Sequence, residues 1–433
     1  MAHVVRAFIL VVFVGLTGCA VNPVTGEREF NIISTEQEIL IGQQNYVPAQ
    51  QMQGGLYTVD PEVTAYVNGI GQQLAVHSER ELPYEFVVLN NSVPNAWAMP
   101  GGKIAINRGL MVELENEAEL AAVIGHEITH AAARHSAKAM ERAMVLQAGV
   151  ALIAVAASSG EGRYAPLWVG GASVAAAFLG QRYSREAELE ADYYGMQYMD
   201  KVSYDPHAAV TLQETFVRLS EGRESNWLQG LFASHPPSQK RVDANTQHAK
   251  ELKQGGKVEE SAYREQIAQI IKDQPAYAAY DEGVKALVQD EDTTTALAKA
   301  QEAVQLQPKE HLFHGLIGFV HLQQSNWQEA LKNYEKALAL YDGYYQSLVG
   351  AGESARQLGQ DDKALGYLEQ SVELLPTATA HNGIGQILLK QGTRDKAIEN
   401  LKLAAQSESP AGDEARATLK RLGVAVEQPK KSG

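Results

Sequence analysis

Two histidines and a glutamate form the motif His126-Glu127-Ile128-Thr129-His130. On a helix, the two imidazoles would project from the same face, one turn apart. Imidazoles at that spacing can bind one Zn²⁺, each at about 2.0–2.1 Å. The carboxylate of Glu127 would lie beside them, where it could take a proton from an activated water. The pattern therefore predicts metal-assisted hydrolysis, with His126 and His130 as ligands and Glu127 as general base.

The motif lies in an alanine-rich run, Glu117 to Met144, that contains no proline and is predicted to be helical. Asn116 is a candidate N-cap, and Glu119 follows three residues later, as in a capping box. A motif of five letters with two free positions also occurs by chance on solvated helices. Small and apolar neighbours favour a buried helix instead: Ala121, Ala122, Ile124, Gly125 and Ile128. Buried polar groups need partners, and a metal ion is one such partner.

A second predicted helix, which begins after Ser184, carries carboxylates at a spacing suited to the same metal. Glu188 and Asp192 are four residues apart and therefore share one face. A catalytic zinc site with two histidines needs a carboxylate ligand, and its imidazoles need acceptors for their other ring N–H. We expect Glu188 to complete a site for one Zn²⁺ per chain and Asp192 to orient an imidazole. The alternative is a solvated acidic face, which is our interpretation of Glu186 and Glu190.

Other polar residues near these motifs have less defined roles. Ser136 occupies the position at which a metzincin has its third histidine, and we interpret the preceding His135 as a surface histidine at the helix end. Hydrolysis of a peptide bond also needs a group that stabilises the oxyanion. Arg241 and Tyr183 are both candidates for that role, and the sequence does not choose between them.

Composition and the N-terminus indicate where the chain works. Its 433 residues are enough for two or three domains, and its net charge of −15 argues against nucleic-acid binding. Residues 1–18 have a basic start, a short apolar core and small residues, as in a signal peptide. Residues 16–19 resemble a bacterial lipobox that ends at Cys19, the only cysteine. We expect Cys19 to be lipidated, and the following Ala20 favours the outer membrane, with the body of the protein in the periplasm.

The segments around the histidine motif are predicted to form a zinc metallopeptidase domain over residues 19–249. Helices are expected from Ser34 to about Gln53 and after Pro61, and strands at 84–89, 95–99 and 103–107. Two apolar stretches, Ala143 to Ala157 and Ala165 to Leu179, are each shorter than the ~20 residues that span a bilayer. We interpret them as a buried or interfacial helical hairpin; a pair of short membrane helices is the alternative.

The C-terminal part of the chain is repetitive. Residues 250–275 are predicted to be a linker and helix, residues 276–421 a repeat domain and residues 422–433 a tail. Alanines recur at spacings of 34, 34 and 33, namely Ala296, Ala330, Ala364 and Ala397. Four residues after each stand Ala300, Tyr334, Leu368 and Leu401. This period is typical of tetratricopeptide repeats, whose stacked helix pairs offer a concave surface to protein partners.

Four motifs, at residues 95–102, 126–130, 184–192 and 234–237, together resemble zinc metallopeptidases of the HtpX and CAAX-prenyl-protease type, peptidase family M48. Among these, the chain looks most like periplasmic members with tetratricopeptide repeats. The resemblance implies that His126, His130 and Glu188 bind zinc, and that His235 lies near the metal. It also implies that one strand is the edge on which an extended peptide substrate pairs: Asn95, Ala96, Trp97, Ala98 and Met99.

The predicted fold is α+β and mostly helical, with a gluzincin-like zinc metallopeptidase domain and small β-sheet followed by an α-solenoid. The predicted function is a lipid-anchored periplasmic zinc endopeptidase. By the resemblance, it acts in quality control or assembly of outer-membrane proteins, with misfolded or stalled clients as substrates and the barrel-assembly machinery as a candidate partner of the repeats. The alternative is a chaperone or assembly scaffold that works chiefly through its repeats.

His235 has a predicted role of its own. A zinc ion with three protein ligands keeps one open position, and an imidazole is a good fourth ligand. Pro236 and Pro237 restrict the loop, which lowers the entropic cost of holding the ring at the metal. We therefore expect His235 to close the site at rest. The alternatives are an oxyanion-stabilising histidine, needed for catalysis, and a loop histidine with neither role.

Overall fold

The computed structural model describes residues 19–144, 171–222 and 234–426, and the chain divides into two compact units. The first unit comprises Met1–Ala49 and Pro61–Ala268, and the second comprises Gln50–Asp60 and Gln269–Gly433. Helices and a small sheet form the first unit, and paired helices form the second. The predicted fold class, a mostly helical α+β domain followed by a helical repeat array, is confirmed.

The described residues of the first unit form five short strands and a set of helices. Its strands are β1 (Cys19–Val21), β2 (Arg28–Phe30), β3 (Glu85–Leu89), β4 (Ala96–Met99) and β5 (Lys103–Asn107). Its described helices are α1 (Thr35–Met52, whose end enters the second unit), α2 (Pro61–Ala75), α3 (Arg108–Met111), α4 (Glu117–Ala132), α5 (Gly171–Leu179), α6 (Arg185–Lys201), α7 (Ala208–Gly222), α8 (Gln239–Ala249) and α9 (Glu260–Gln266). The predicted starts at Ser34 and Pro61 and the three predicted strands are confirmed to within a residue.

The larger sheet has the strand order β3–β5–β4, so β4 lies at one edge of it. β5 is parallel to β3 and antiparallel to β4, with Ala98 opposite Ile104. The backbone N–H of Asn107 donates to the carbonyl of Asn95 at 2.8 Å, which makes these two residues a hydrogen-bonded pair. Since such pairs alternate in an antiparallel ladder, the backbone groups of Ala96 and Ala98 face away from β5.

The prediction of one continuous helix from Glu117 to Met144 is wrong. The helix α4 ends at Ala132, and a helix resumes over residues 135–144 after a two-residue turn. Within that turn Arg134 has a φ of 63°, a left-handed conformation that costs a residue with a Cβ about 1–2 kcal/mol. Local helix propensity cannot produce such a break, so contacts from elsewhere in the unit must stabilise it.

Buried carboxylates supply those contacts. The guanidinium of Arg134 donates to Glu38 at 2.6 Å, Glu29 at 3.1 Å and Glu141 at 3.0 Å. Arg80 donates to the second oxygen of Glu38 at 2.9 Å, so that this fully buried carboxylate is neutralised from two sides. Glu38 and Arg134 are 96 residues apart in the chain, which is why sequence periodicity did not indicate the break.

The second unit is a stack of helix pairs. Its helices are α10 (Ala268–Val288, which begins in the first unit), α11 (Thr293–Leu306), α12 (His311–Gln323), α13 (Trp327–Leu340), α14 (Tyr345–Gln357), α15 (Asp361–Leu374), α16 (Ala378–Lys390), α17 (Arg394–Ala404) and α18 (Pro410–Arg421). The alanines of the 34-residue period are all fully buried, as the repeat prediction requires.

Glycines in the repeats make room for the large residues of the period. A Cβ on Gly352 would lie 2.7 Å from the side chain of Leu368, and a Cβ on Gly385 would lie 2.6 Å from that of Leu401. Each pair joins one helix to the next, because the large side chain fills the space that the glycine leaves open. The recurring small and large positions are thus the contacts that hold neighbouring helices together.

Several predictions concern residues outside the described ranges. The signal peptide at residues 1–18 lies there, and so does most of the predicted apolar hairpin, of which α5 is described. Within residues 19–144, 171–222 and 234–426, no helix has the length and apolar character needed to cross a bilayer.

Candidate metal centre

Two helices meet at glycines and bring the candidate ligands together. A Cβ on Gly125 of α4 would lie 2.9 Å from the carbonyl oxygen of Gly195 on α6, so the two backbones are in close contact there. Both helices begin where the sequence predicts. The side chain of Asn116 accepts from the N–H of Glu119 at 2.9 Å, and that of Ser184 accepts from Ala187 at 3.2 Å.

Four side chains converge in the space between these helices and the segment before α8. They are His126, His130, Glu188 and His235, and one ligand atom of each lies within 4.8 Å of the others. The Nε2 atoms of His126 and His130 are 2.9 Å apart, and Glu188 Oε1 is 3.4 Å from His130 Nε2. His235 Nδ1 lies 3.0 Å from Glu188 Oε1 and 3.2 Å from His126 Nε2. The structure therefore places His235 within the cluster as a fourth possible ligand.

The chemistry of this donor set fits a divalent metal ion. Three imidazole nitrogens and one carboxylate are a ligand set that zinc accepts. The buried oxygen Glu127 Oε2 and the buried nitrogen His235 Nε2 have no hydrogen-bond partner among the described residues. Buried polar atoms are normally satisfied, so orphaned atoms that point into one small space indicate a missing partner.

Glu127 lies beside the cluster. Its carboxylate is buried, and Oε1 is 3.5 Å from His235 Nε2. Burial raises the pKa of Glu127, while the neighbouring His235 and His126 oppose the shift. A carboxyl group with a raised pKa, next to possible metal ligands, suits a group that must both take and give a proton.

Asp192 and Arg241 hold the first histidine. Asp192 Oδ1 lies 2.8 Å from His126 Nδ1, the ring nitrogen that faces away from the cluster. Arg241 donates to Asp192 through Nε and Nη2, both at 2.7 Å, and its Nη1 lies 2.8 Å from Glu188 Oε2. Burial opposes the charged form of Asp192, but Arg241 lowers its pKa. With its donors committed in this way, Arg241 orients Asp192 and Glu188. Its predicted oxyanion role stays a prediction.

The interpretation of His135 as a surface histidine is wrong. His135 is buried, and its Nδ1 lies 2.8 Å from His130 Nδ1. Glu190, interpreted as solvated, lies with its Oε1 3.4 Å from His135 Nε2 and is only 23% exposed. Tyr183 stacks on the His130 ring at 3.9 Å between centroids. The left-handed turn at Arg134 brings His135 back towards His130, and no local pattern in the sequence indicated it.

The edge strand β4 and a small cavity lie beside the candidate general base. The cavity has a volume of about 30 Å³, and its lining includes Ala96, His126 and Glu127. Apolar side chains of α6 and α7, including Met196, Leu212 and Phe216, also line it. The backbone carbonyl of Ala98 accepts from Ser136 Oγ at 3.4 Å.

Comparisons with known proteins find separate matches for the part of the chain with the candidate metal centre and for the repeats. Residues 61–249 match the model of peptidase family M48, and residues 311–377 and 349–414 match tetratricopeptide repeat models. The chain is 33% identical over 225 residues to the mitochondrial metalloendopeptidase OMA1 of Schizosaccharomyces pombe, which covers 51% of this chain. It is 30% identical over 237 residues to the beta-barrel assembly-enhancing protease of Escherichia coli, again over 51% of this chain. It is 33% identical over 175 residues to the metalloprotease YcaL of Escherichia coli, over 40% of this chain.

These similarities cover only part of this chain and only part of each relative. They span 63% of the yeast protein, 46% of the assembly-enhancing protease and 64% of YcaL.

Proposed function

We propose that this chain is a zinc-dependent endopeptidase, because residues 61–249 match the model of peptidase family M48 and tetratricopeptide repeat models match the residues that follow. The observation that carries the proposal is the buried cluster of His126, His130 and Glu188 with Glu127 beside it. The close approach of the two helices at Gly125 and Gly195 brings these residues together, and the unpartnered Glu127 Oε2 and His235 Nε2 support an ion at this place.

His126, His130 and Glu188 would hold the ion, and Asp192 would keep His126 in the tautomer that binds it. When bound, zinc supplies Lewis-acid chemistry, which polarises the scissile carbonyl and makes water a nucleophile near neutral pH. Glu127 takes the proton of the attacking water, and a C–O bond forms at the carbonyl carbon. The same carboxyl group then gives that proton to the leaving amine as the C–N bond breaks.

An extended peptide would lie along β4. The backbone groups of Ala96 and Ala98 face away from β5, so a substrate strand can pair with them without competing with the sheet. Main-chain pairing tolerates varied side chains, which suits an enzyme that cleaves damaged or stalled proteins. Ala96 also borders the cavity beside Glu127, and a strand bound here would therefore pass the candidate general base.

The cellular setting is part of the proposal. The lipobox-like sequence at Cys19 supports a lipoprotein in the outer membrane whose domains face the periplasm. Similarity to a beta-barrel assembly-enhancing protease supports substrates among outer-membrane proteins that fold or assemble poorly. The repeats would bind such clients or the barrel-assembly machinery.

The substitution Glu127→Gln tests the enzymatic proposal. The amide keeps the size of the side chain but cannot take the proton, so cleavage should fall by about 10²–10⁴-fold. Zinc content should remain near one ion per chain, because Glu127 is not among the proposed ligands. Elemental analysis and a casein cleavage assay give the two readings. Retention of more than about a hundredth of the wild-type rate would contradict the assignment of the base.

A scaffold or chaperone function is the second candidate, and one observation favours it. The repeat unit has a groove of about 610 Å³ lined largely by apolar and aromatic side chains, among them Tyr280, Leu312 and Phe319. Grooves of this kind suit protein segments. The same Glu127→Gln variant separates the two functions in cells. An endopeptidase loses its cellular role with that change, whereas a scaffold keeps it.

A further inference from the structure

His135 owes its position to the turn that interrupts the motif helix. In a continuous helix a residue five positions after His130 would point to another side of the helix. Here the left-handed Arg134 lies between α4 and residues 135–144, and the ring of His135 turns back towards His130. The energetic cost of that turn is offset by buried ion pairs of Arg134, so the arrangement is built into the core of the unit.

A chain of contacts leads away from the candidate metal site through three side chains, His130, His135 and Glu190. His130 Nε2 points into the cluster, and its other ring nitrogen, Nδ1, lies 2.8 Å from His135 Nδ1. His135 Nε2 in turn lies 3.4 Å from Glu190 Oε1. The buried Glu190 Oε1 forms no hydrogen bond among the described residues, so its contact with His135 is one of ion-pair distance, and the His135 side chain is 5% exposed.

We propose that His135, backed by Glu190, is a positioning residue that fixes the orientation and tautomer of His130 for metal binding. The proposal rests on the metal site of the proposed function. A neutral imidazole that gives the lone pair of Nε2 to a metal carries its proton on Nδ1. That proton is donated to His135 Nδ1, and His135 donates its own Nε2 proton to Glu190.

The two histidines of the motif are therefore held in different ways. His126 has a carboxylate, Asp192, directly against Nδ1. His130 reaches its carboxylate through a second imidazole, which leaves Glu190 at the edge of the buried region. Partners of this kind fix a ligand's ring and raise its basicity, and their loss typically weakens metal binding by about 10–100-fold.

The experiment measures the zinc dissociation constant of the full-length protein by competition with a chelator. In His135→Leu the volume is kept but the acceptor is lost, and zinc should bind about 10–100-fold more weakly. In His135→Asn the amide oxygen can replace Nδ1 as the acceptor, so most of the affinity should return. Glu190→Ala should weaken binding by a smaller factor. Glu186→Ala is the matched control, since that glutamate is exposed on the same helix.

Two further measurements distinguish a positioning role of His135 from a general contribution to packing. The visible absorption of cobalt-substituted protein should change in His135→Leu, because the geometry at the ion changes, and should revert in His135→Asn. The thermal melt of the metal-free protein should be similar in the Leu and Asn variants. A dissociation constant within about twofold of wild type in both His135→Leu and Glu190→Ala would overturn the proposal, and so would equal losses in Leu and Asn.

The failure of this proposal is distinguishable from the failure of the proposed function. If the wild-type protein binds no zinc, the metal site itself is refuted. If it binds zinc and the His135 variants bind equally well, only the positioning role is refuted. Should His135→Leu fail to fold, Glu190→Ala supplies the same reading from the outer end of the chain of contacts.

Discussion

Replacing Arg134 should destabilise the first unit more than replacing a typical surface arginine. Its side chain is 3% exposed, and its guanidinium forms ion pairs with Glu38, Glu29 and Glu141. In Arg134→Ala the buried carboxylates of Glu38 and Glu141 lose a charged donor. Glu38 keeps Arg80 at 2.9 Å, and Glu141 keeps the backbone N–H groups of residues 32 and 33.

The expected loss in the free energy of unfolding depends on which partners Glu38 and Glu141 keep. Removal of one member of a buried ion pair costs about 3–5 kcal/mol, and the donors that stay place this case near the lower value. We therefore expect the free energy of unfolding to fall by about 3 kcal/mol. For a unit of this size each kcal/mol lowers Tm by about 2–4 °C, so the melt should shift by about 6–12 °C.

The backbone conformation of Arg134 gives the prediction a second, sharper test. At a φ of 63° alanine keeps the steric penalty of a Cβ, whereas glycine is free of it. Arg134→Gly should therefore be about 1 kcal/mol more stable than Arg134→Ala, the reverse of their usual order in a helix. Thermal and denaturant melts of the full chain measure this, with the exposed Arg142→Ala as control.

The reasoning is refuted if Arg134→Ala melts within about 2 °C of wild type, or if the glycine variant melts below the alanine variant. The zinc dissociation constant should also rise in Arg134→Ala, because His135 follows the turn directly. An unchanged zinc dissociation constant together with a lower Tm would show that the turn supports the fold but not the metal site.

Three further predictions concern the substrate strand, the loop histidine and the anchor. Ala98→Pro removes a backbone N–H that faces away from β5, and the loss of one hydrogen bond to substrate should lower peptide cleavage about 5–10-fold. The Tm and the zinc content should stay unchanged, and normal cleavage would mean that substrate binds elsewhere. His235→Ala should raise cleavage about twofold or more if His235 closes the site, and a sharp loss in a folded, zinc-loaded variant would assign it to catalysis instead. Cys19→Ser should abolish lipid labelling and move the chain to the soluble fraction, and unchanged fractionation would contradict lipid anchoring at this residue.

Local patterns in the sequence determined much of the architecture. The caps at Asn116 and Ser184, the strands and the 34-residue period all depend on residues near each other in the chain. Helix periodicity also placed His126 and His130 on one face of α4, and Glu188 and Asp192 on one face of α6. Each of these features is fixed by short-range geometry, which a single sequence records directly.

The tertiary structure alone decided how these pieces meet. The close approach at Gly125 and Gly195 and the pairing of Arg241 with Asp192 join residues far apart in the chain. The break at Arg134 is the clearest case. Helix propensity favoured a continuous helix, but ion pairs with distant carboxylates outweighed it and turned His135 inward. Such long-range electrostatic contacts leave no periodic trace in the sequence, and so the position of His135 could be read only from the folded chain.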